Sequence, residues 1–343
     1  MLQSKKQLFA NAWAGSGLAR MSLRHFGSSR CGLLVLAYHR IADMSAEDEH
    51  PGDPELVSAS LADFEWQMQL VARHFQPITF RRVIECLEGG TAMPQRSLVV
   101  TFDDGHLDNY TGAFPILRSL GIPATIFLST GYIGSQEPYW FDHVARLLAK
   151  APSGPIQLTS VPFKAVLLDM RSRRSATEAL LGLLKRVANS RRLDCLDELD
   201  RLFPSRRDGS ASNEQFALSW PQVREMAAAG IEFGSHTVSH PILTQVDDVQ
   251  LRRELSESRE AIVAHTGQAG DIIAYPIGKR FAFDERVIRA CEASGYRLGV
   301  SYETGTNPSV LSARFELKRL AVERYTNRAM FQSMLSLPGL LAR

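Results

Sequence analysis

Two short segments of this 343-residue chain hold residues that can do hydrolytic chemistry. Thr101-Phe102-Asp103-Asp104-Gly105 sets two adjacent carboxylates just after the apolar run Leu98-Val99-Val100. His236-Thr237-Val238-Ser239-His240-Pro241 sets two imidazoles on either side of three residues and closes with a proline. Two carboxylates this close resist sharing one role, because like charges raise one pKa unless a cation intervenes. A divalent metal on one of them removes the conflict and frees the other as a general base. One carboxylate and two neutral imidazoles leave open positions on a Zn2+-type ion, as catalytic sites require. Such an ion lowers the pKa of its water towards ~7, which makes that water a nucleophile for an unactivated amide or ester.

The surrounding elements have to bring these groups together. In a continuing strand, Asp103 and Asp104 point to opposite faces. Gly105 allows a sharp turn, so both converge at the C-terminal rim of a parallel sheet, where barrels place their active sites. The histidine spacing places both rings on one face of a helical turn, and Pro241 disfavours helix at His240, so the turn ends there. Residues 33–38 read as a buried strand, 61–75 and 80–87 as amphipathic helices. A strand at 97–102, a helix at 107–120 capped by Gly121 and a strand at 124–128 make a βαβ unit. Ser219 and Gln222 form a capping box for a helix ending at Gly230. The rhythm continues with strands at 231–234, 271–275, 297–302 and 320–324, and helices at 248–266 and 284–294. About seven strands alternating with helices predict an α/β fold, a (β/α) barrel. Residues 140–215 break the pattern and read as a mainly helical insertion, with helices near 142–150 and 177–187.

Composition is that of a soluble globular chain, 45% apolar and 22% charged. A net charge of only +2 argues against nucleic acid as partner. The four cysteines are scattered without a C-x-x-C pair and read as free thiols in a reducing compartment. Residues 1–42 contain no Asp or Glu but carry Lys5, Lys6, Arg20, Arg24, Arg30 and Arg40. Polar residues interrupt any secretory signal, and no run nears the roughly 18–20 apolar residues that span a bilayer. The expected location is therefore cytoplasmic. Residues 1–30 form a basic amphipathic segment that either lies on the anionic inner membrane through residues 1–26 or packs as a helix before the first strand.

T-F-D-D-G together with H-T-x-x-H-P resembles the polysaccharide deacetylase family (carbohydrate esterase family 4, the NodB-homology fold). Its members are metal-dependent N-deacetylases on a distorted (β/α)7 barrel. Tyr38-His39-Arg40, Phe114-Pro115-Ile116-Leu117 and Gly121-Ile122-Pro123-Ala124 agree. The Y-H-R strand and the Tyr-Pro-x-Gly segment are most similar to the exopolysaccharide branch, which deacetylates poly-N-acetylglucosamine. The resemblance covers most of 33–330, within a domain of 31–343. It implies Asp103 as base, with Asp104, His236 and His240 as ligands of Zn2+, or of Co2+ or Ni2+. The family's R-x-P-[YF]-G motif stands here as Ala274-Tyr275-Pro276-Ile277-Gly278, so the arginine that orients the base is absent from its place. The Ile277 backbone N–H remains available to an oxyanion. No histidine follows His265, which leaves His39, His106 and His143 as candidates for the general acid. Tyr275, His39 and Trp140 are candidate substrate contacts. The aromatic group Tyr132, Tyr139, Trp140 and Phe141 either stacks on sugar or packs the core.

The implied activity is removal of acetyl from N-acetylhexosamine units of a bacterial polysaccharide or glycolipid precursor, such as an undecaprenyl-linked sugar. The alternatives are a deacetylase or amidohydrolase of a small or lipid-linked amide, and a catalytically weak glycan-binding domain.

Overall fold

The computed structural model describes residues 2–25, 32–43, 53–204 and 215–338. Two helices, α1 (Leu2–Gly15) and α2 (Leu18–His25), precede strand β1 (Leu34–Tyr38). A side ladder of β2 (Arg40–Ile41) and β3 (Val57–Ala59) leads into α3 (Leu61–His74), β4 (Gln76–Pro77) and α4 (Phe80–Glu88). Next come β5 (Ser97–Phe102), α5 (Phe114–Leu120) and β6 (Ala124–Leu128). The insertion follows, with α6 (Trp140–Lys150), β7 (Gly154–Gln157), β8 (Lys164–Leu167), α7 (Met170–Leu184) and α8 (Asn189–Leu202). The chain resumes its alternation with α9 (Trp220–Ala228), β9 (Glu232–Ser235), α10 (Asp248–Thr266) and β10 (Ile272–Ala274). It ends on α11 (Glu285–Ala293), β11 (Leu298–Thr304), β12 (Leu317–Ala321) and α12 (Arg328–Ser336).

Seven strands close a parallel barrel in the order β1-β12-β11-β10-β9-β6-β5, with β5 returning to β1. Every residue of β1, β5 and β6 is buried, as expected of strands enclosed on both faces. Leu34, Leu36, Leu98, Val100, Ile126 and Phe64 share one core with the insertion's Leu147, Leu180 and Leu199. The insertion is therefore packed on the barrel rather than tethered to it. The Ser219–Gln222 capping box forms as expected, and Gly121 takes the left-handed conformation that ends α5.

Four details differ from the sequence reading. The last strand is Leu317–Ala321, three residues earlier than expected. The insertion contains an antiparallel hairpin, β7–β8, between its helices. The helix over 107–120 is π-helical from Asn109 to Ala113, and α5 starts only at Phe114. The segment after β9 is an irregular loop rather than a helical turn. Cys86, Cys195 and Cys291 are buried free thiols, and Cys31 lies outside the described residues. Among the described residues, no helix is long and apolar enough to cross a membrane.

Candidate active site

Strand β5 delivers Asp103 and Asp104 to the C-terminal rim. The Asp103 N–H still bonds the Tyr38 carbonyl at 2.9 Å, as if the strand continued. Asp104 then turns to a φ of +73° and Gly105 to +84°. A Cβ on Gly105 would meet Leu128 Cδ2 at 2.7 Å, so only glycine lets the turn close against β6.

Asp103 is gripped by Arg319 of β12. Nη1 donates to Oδ1 and Nη2 to Oδ2, both at 2.7 Å. The guanidinium is itself fixed, donating through Nε to the Ser301 carbonyl at 2.7 Å and lying 5.1 Å from the Tyr302 ring centre. Both partners are almost wholly buried. Burial alone would raise the Asp103 pKa; the Arg319 charge overcomes this and holds it below the usual carboxylate range.

Asp104 faces the histidines. Its Oδ1 lies 3.6 Å from His236 Nε2 and 3.3 Å from His240 Nε2, and it has no hydrogen-bond partner. A tetrahedral zinc with bonds of about 2.0–2.1 Å separates its ligand atoms by about 3.3 Å. The three residues, all buried, therefore stand at the spacing a metal needs. The orphaned oxygen points to the same conclusion, since a buried carboxylate oxygen without a partner calls for a cation. His106 Nε2 stands 3.3 Å from the other oxygen, Oδ2. Burial raises and the three surrounding histidines lower the Asp104 pKa, and the histidines prevail strongly. Burial pushes His240 down to about 3, so its ring is neutral at pH 7, as a ligand must be.

The histidine loop is held from outside. His236 Nδ1 contacts the Ala274 carbonyl at 2.7 Å, which directs Nε2 towards Asp104. The indole N–H of Trp140 and Nη1 of Arg192 both donate to the His240 carbonyl at 3.1 Å. Thr237 and His240 adopt φ of +70° and +53°. This strained turn, rather than a helix, brings the ring centres within 4.9 Å. Glu254 of α10 stabilises it by accepting the N–H groups of Val238 and Ser239 at 2.8 and 2.9 Å.

A cleft of about 410 Å³ exposes these groups, lined also by His39, Ile277, Tyr302 and Lys185 of the insertion. His39 Nε2 stands 4.0 Å from Asp103 Oδ2. Burial lowers its pKa, opposed by the charges of Asp103 and Asp104. Ile277 takes a φ of +64° at the cleft wall. Other sequence candidates sit elsewhere. His106 is buried against Tyr139, away from the cleft lining. His143 pairs with Asp200 at 2.7 Å between α6 and α8. Tyr275 is core, stacked on Phe283 with its hydroxyl on the Phe315 carbonyl. Trp140 lies behind His240 rather than in the cleft.

The arginine missing at Ala274 thus reappears as Arg319, two strands away. The signal for it was a basic residue inside the apolar stretch 317–322; a strand placed at 320–324 left it outside.

The same features recur among known proteins. A Staphylococcus epidermidis poly-beta-1,6-N-acetyl-D-glucosamine N-deacetylase is 26% identical over 65% of this chain and 78% of its own length. YxkH of Bacillus subtilis, named as a polysaccharide deacetylase, is 22% identical over 80% of this chain; the match spans 65% of YxkH, just under two thirds. In fold, the chain is similar to the Streptococcus pyogenes deacetylase PplD, with a TM-score of 0.58 at 19% identity, covering 88% of this chain and 97% of that one. It is similar also to IcaB from Ammonifex degensii, with a TM-score of 0.55 at 18% identity, covering 89% and 96%. The family model for polysaccharide deacetylases matches residues 90–299, more than half of the chain and inclusive of both carboxylates, both histidines and the Ile277 turn, so the chain belongs to the polysaccharide deacetylase family.

Proposed function

We propose that this cleft hydrolyses the N-acetyl group of an N-acetylhexosamine unit in a bacterial polysaccharide or glycolipid precursor. One observation carries the reading: Asp104 Oδ1, buried and unpartnered between two imidazole nitrogens, beside a second carboxylate locked by an arginine. Asp104, His236 and His240 would hold a divalent cation, zinc first, with cobalt or nickel suited to the same donors. When bound, the cation supplies a lowered water pKa and a Lewis acid for the acetyl carbonyl.

The chain's own residues do the rest. Asp103 is ionised at neutral pH and fixed in one orientation, so it can take a proton from the attacking water. Each of its oxygens keeps a lone pair beyond the one Arg319 occupies. A β-branched residue at positive φ costs about 1–3 kcal/mol and persists where the backbone is needed in that conformation. The Ile277 N–H is accordingly the candidate donor to the oxyanion. His39 is the imidazole that faces both Asp103 and the cleft. It is placed to pass the proton from Asp103 to the leaving amine, which balances the reaction. The named activity of the Staphylococcus epidermidis relative supports an exopolysaccharide as substrate.

The test is acetate release from N-acetylglucosamine oligomers by metal-stripped protein with and without added Zn2+ or Co2+. Metal should restore activity, and Asp103→Asn should reduce it by about 10²–10⁴-fold. Acetate release that persists unchanged in Asp103→Asn, or its absence across the panel, would sink this reading.

A contact with the inner membrane surface is proposed for the N-terminal helices. It is favoured by the exposure of Leu8, Phe9, Leu18 and Met21 within 24 residues of α1 and α2.

A further inference from the structure

A second groove, of about 570 Å³, opens between α8 of the insertion and α10. Its volume lies within the roughly 300–1,000 Å³ of small-molecule sites. Two side chains that line it are buried yet unsatisfied. Arg192 is 3% exposed and spends Nη1 on the His240 carbonyl, but its Nε has no partner. Asn189 is 6% exposed and donates Nδ2 to Gln250, but its Oδ1 has no partner. A buried donor and a buried acceptor left open beside one groove call for something that fills both, because each costs about 1–3 kcal/mol while unmet.

The charges say what that something is not. The groove is lined by two guanidiniums, Arg192 and Arg253, against three carboxylates, Asp247, Glu254 and Glu257. All three carboxylates are engaged: Asp247 caps α10, Glu254 holds the histidine loop, and Glu257 bonds Arg253 at 2.8 Å. An anion therefore meets a net negative lining, and a cation finds no free carboxylate. A hydroxyl group is both donor and acceptor and satisfies Nε and Oδ1 together. The remaining walls, Tyr132, Trp140, Leu193, Leu196 and Val249, are apolar or aromatic, a fit to the C–H face of a pyranose ring.

We propose that this groove is a carbohydrate subsite, built by the insertion, that binds a neutral sugar unit of the glycan outside the hydrolytic cleft. The kind of sugar rests on the deacetylase reading; the groove itself does not. The subsite is joined to the cleft through shared atoms. Trp140 lines the groove and donates to the carbonyl of His240, which lines the cleft. Arg192 donates to the same carbonyl while its guanidinium lies 4.8 Å from the Trp140 ring centre.

The experiment titrates a β-linked N-acetylglucosamine tetramer calorimetrically into the full chain carrying Asp103→Asn, so that nothing is consumed. Asn189→Leu removes the open acceptor. Val249→Trp covers the groove from a position that is 70% exposed and so burdens the fold little. Each substitution should weaken tetramer binding at least ~5-fold (about 1 kcal/mol). In chains that retain Asp103, acetate release from the monomer should stay within about twofold. Unchanged tetramer affinity in both variants, or no tetramer binding to the parent, would overturn the subsite and leave a groove that holds water only. Inorganic phosphate that competes with the tetramer would overturn the neutral-sugar assignment. Loss of tetramer binding in the variants, with no acetate released from any substrate, keeps the subsite and rejects the hydrolase.

Discussion

At the scale of single residues, Asp103 and Arg319 form a buried ion pair whose halves have very different needs. The arginine keeps other partners, Ser301 and the Tyr302 ring, whereas Asp103 depends on the guanidinium for its charge. In the native chain the Asp103 pKa is depressed. Its contribution to stability is present above the usual carboxylate pKa of about 3.9 and is lost as pH falls through the lower folded value. Arg319→Met leaves only burial, which raises the folded pKa, and the sign reverses. The variant keeps its stability below the usual carboxylate pKa and loses it as pH rises through the new one. Breaking such a pair costs about 3–5 kcal/mol when the partner remains charged. We expect that loss near pH 8 and a much smaller one near pH 4, read from urea unfolding at each pH. An equal loss at both values would mean that Asp103 does not depend on Arg319 for its ionisation. The four groups nearest the chemistry were legible because they are neighbours in sequence, Asp103 with Asp104 and His236 with His240. Arg319 was not, since it meets Asp103 across 216 residues and only the closed barrel brings them together.

At the scale of elements, the site depends on supports that carry no chemistry of their own. The loop from His236 to His240 holds two positive-φ residues, and Glu254 reaches it from the first half of α10. Removing that carboxylate orphans two N–H groups, a loss of about 2–4 kcal/mol, and frees the loop to relax its strained turn. Groups that orient ligands typically contribute about 10–100-fold to metal affinity. Glu254→Ala should therefore stay folded but bind Zn2+ about 10–100-fold more weakly in competition with a chelator, and Glu254→Gln, which keeps one acceptor, should fall between. Wild-type zinc affinity in a destabilised Glu254→Ala chain would limit Glu254 to the fold. This support also explains where pattern reading failed. An H-x-x-x-H spacing suits a helix, yet α10 offers the backbone better hydrogen bonds than a helical turn would. The hairpin β7–β8 was missed for another reason: Val166 and Leu168 face solvent, so its strands lack the alternation of a half-buried sheet.

At the scale of the whole molecule, the α/β rhythm fixes the barrel, and the two N-terminal helices are an addition to its flank. Their inner face is occupied: Ala10, Ala19 and Leu23 are buried, Trp13 Nε1 donates to Ser336 Oγ at 3.0 Å, and Ser22 Oγ donates to the Ser336 carbonyl at 2.9 Å. The expectation of a packing helix is thus met on one side, by α12. The other side exposes Leu8, Phe9, Leu18 and Met21 at 69, 42, 44 and 50%. These side chains belong to a stretch of 42 residues with six Lys or Arg and no acidic residue. Apolar side chains that insert at the headgroup boundary, with basic residues attracted to anionic lipid, give salt-sensitive surface binding. Deleting the helices would be a poor test, because it would also uncover the face of α12 on which they pack. Leu8→Ser with Phe9→Ser and Met21→Ser removes only exposed surface and should leave the melting temperature within a few degrees. The full chain should cosediment with vesicles rich in phosphatidylglycerol, less so as salt shortens the Debye length from about 10 Å at 0.1 M. The triple variant should bind at least ~5-fold more weakly (about 1 kcal/mol). Equal sedimentation of the two proteins, or binding indifferent to salt and to anionic lipid, would reject the membrane contact and leave the helices as packing alone.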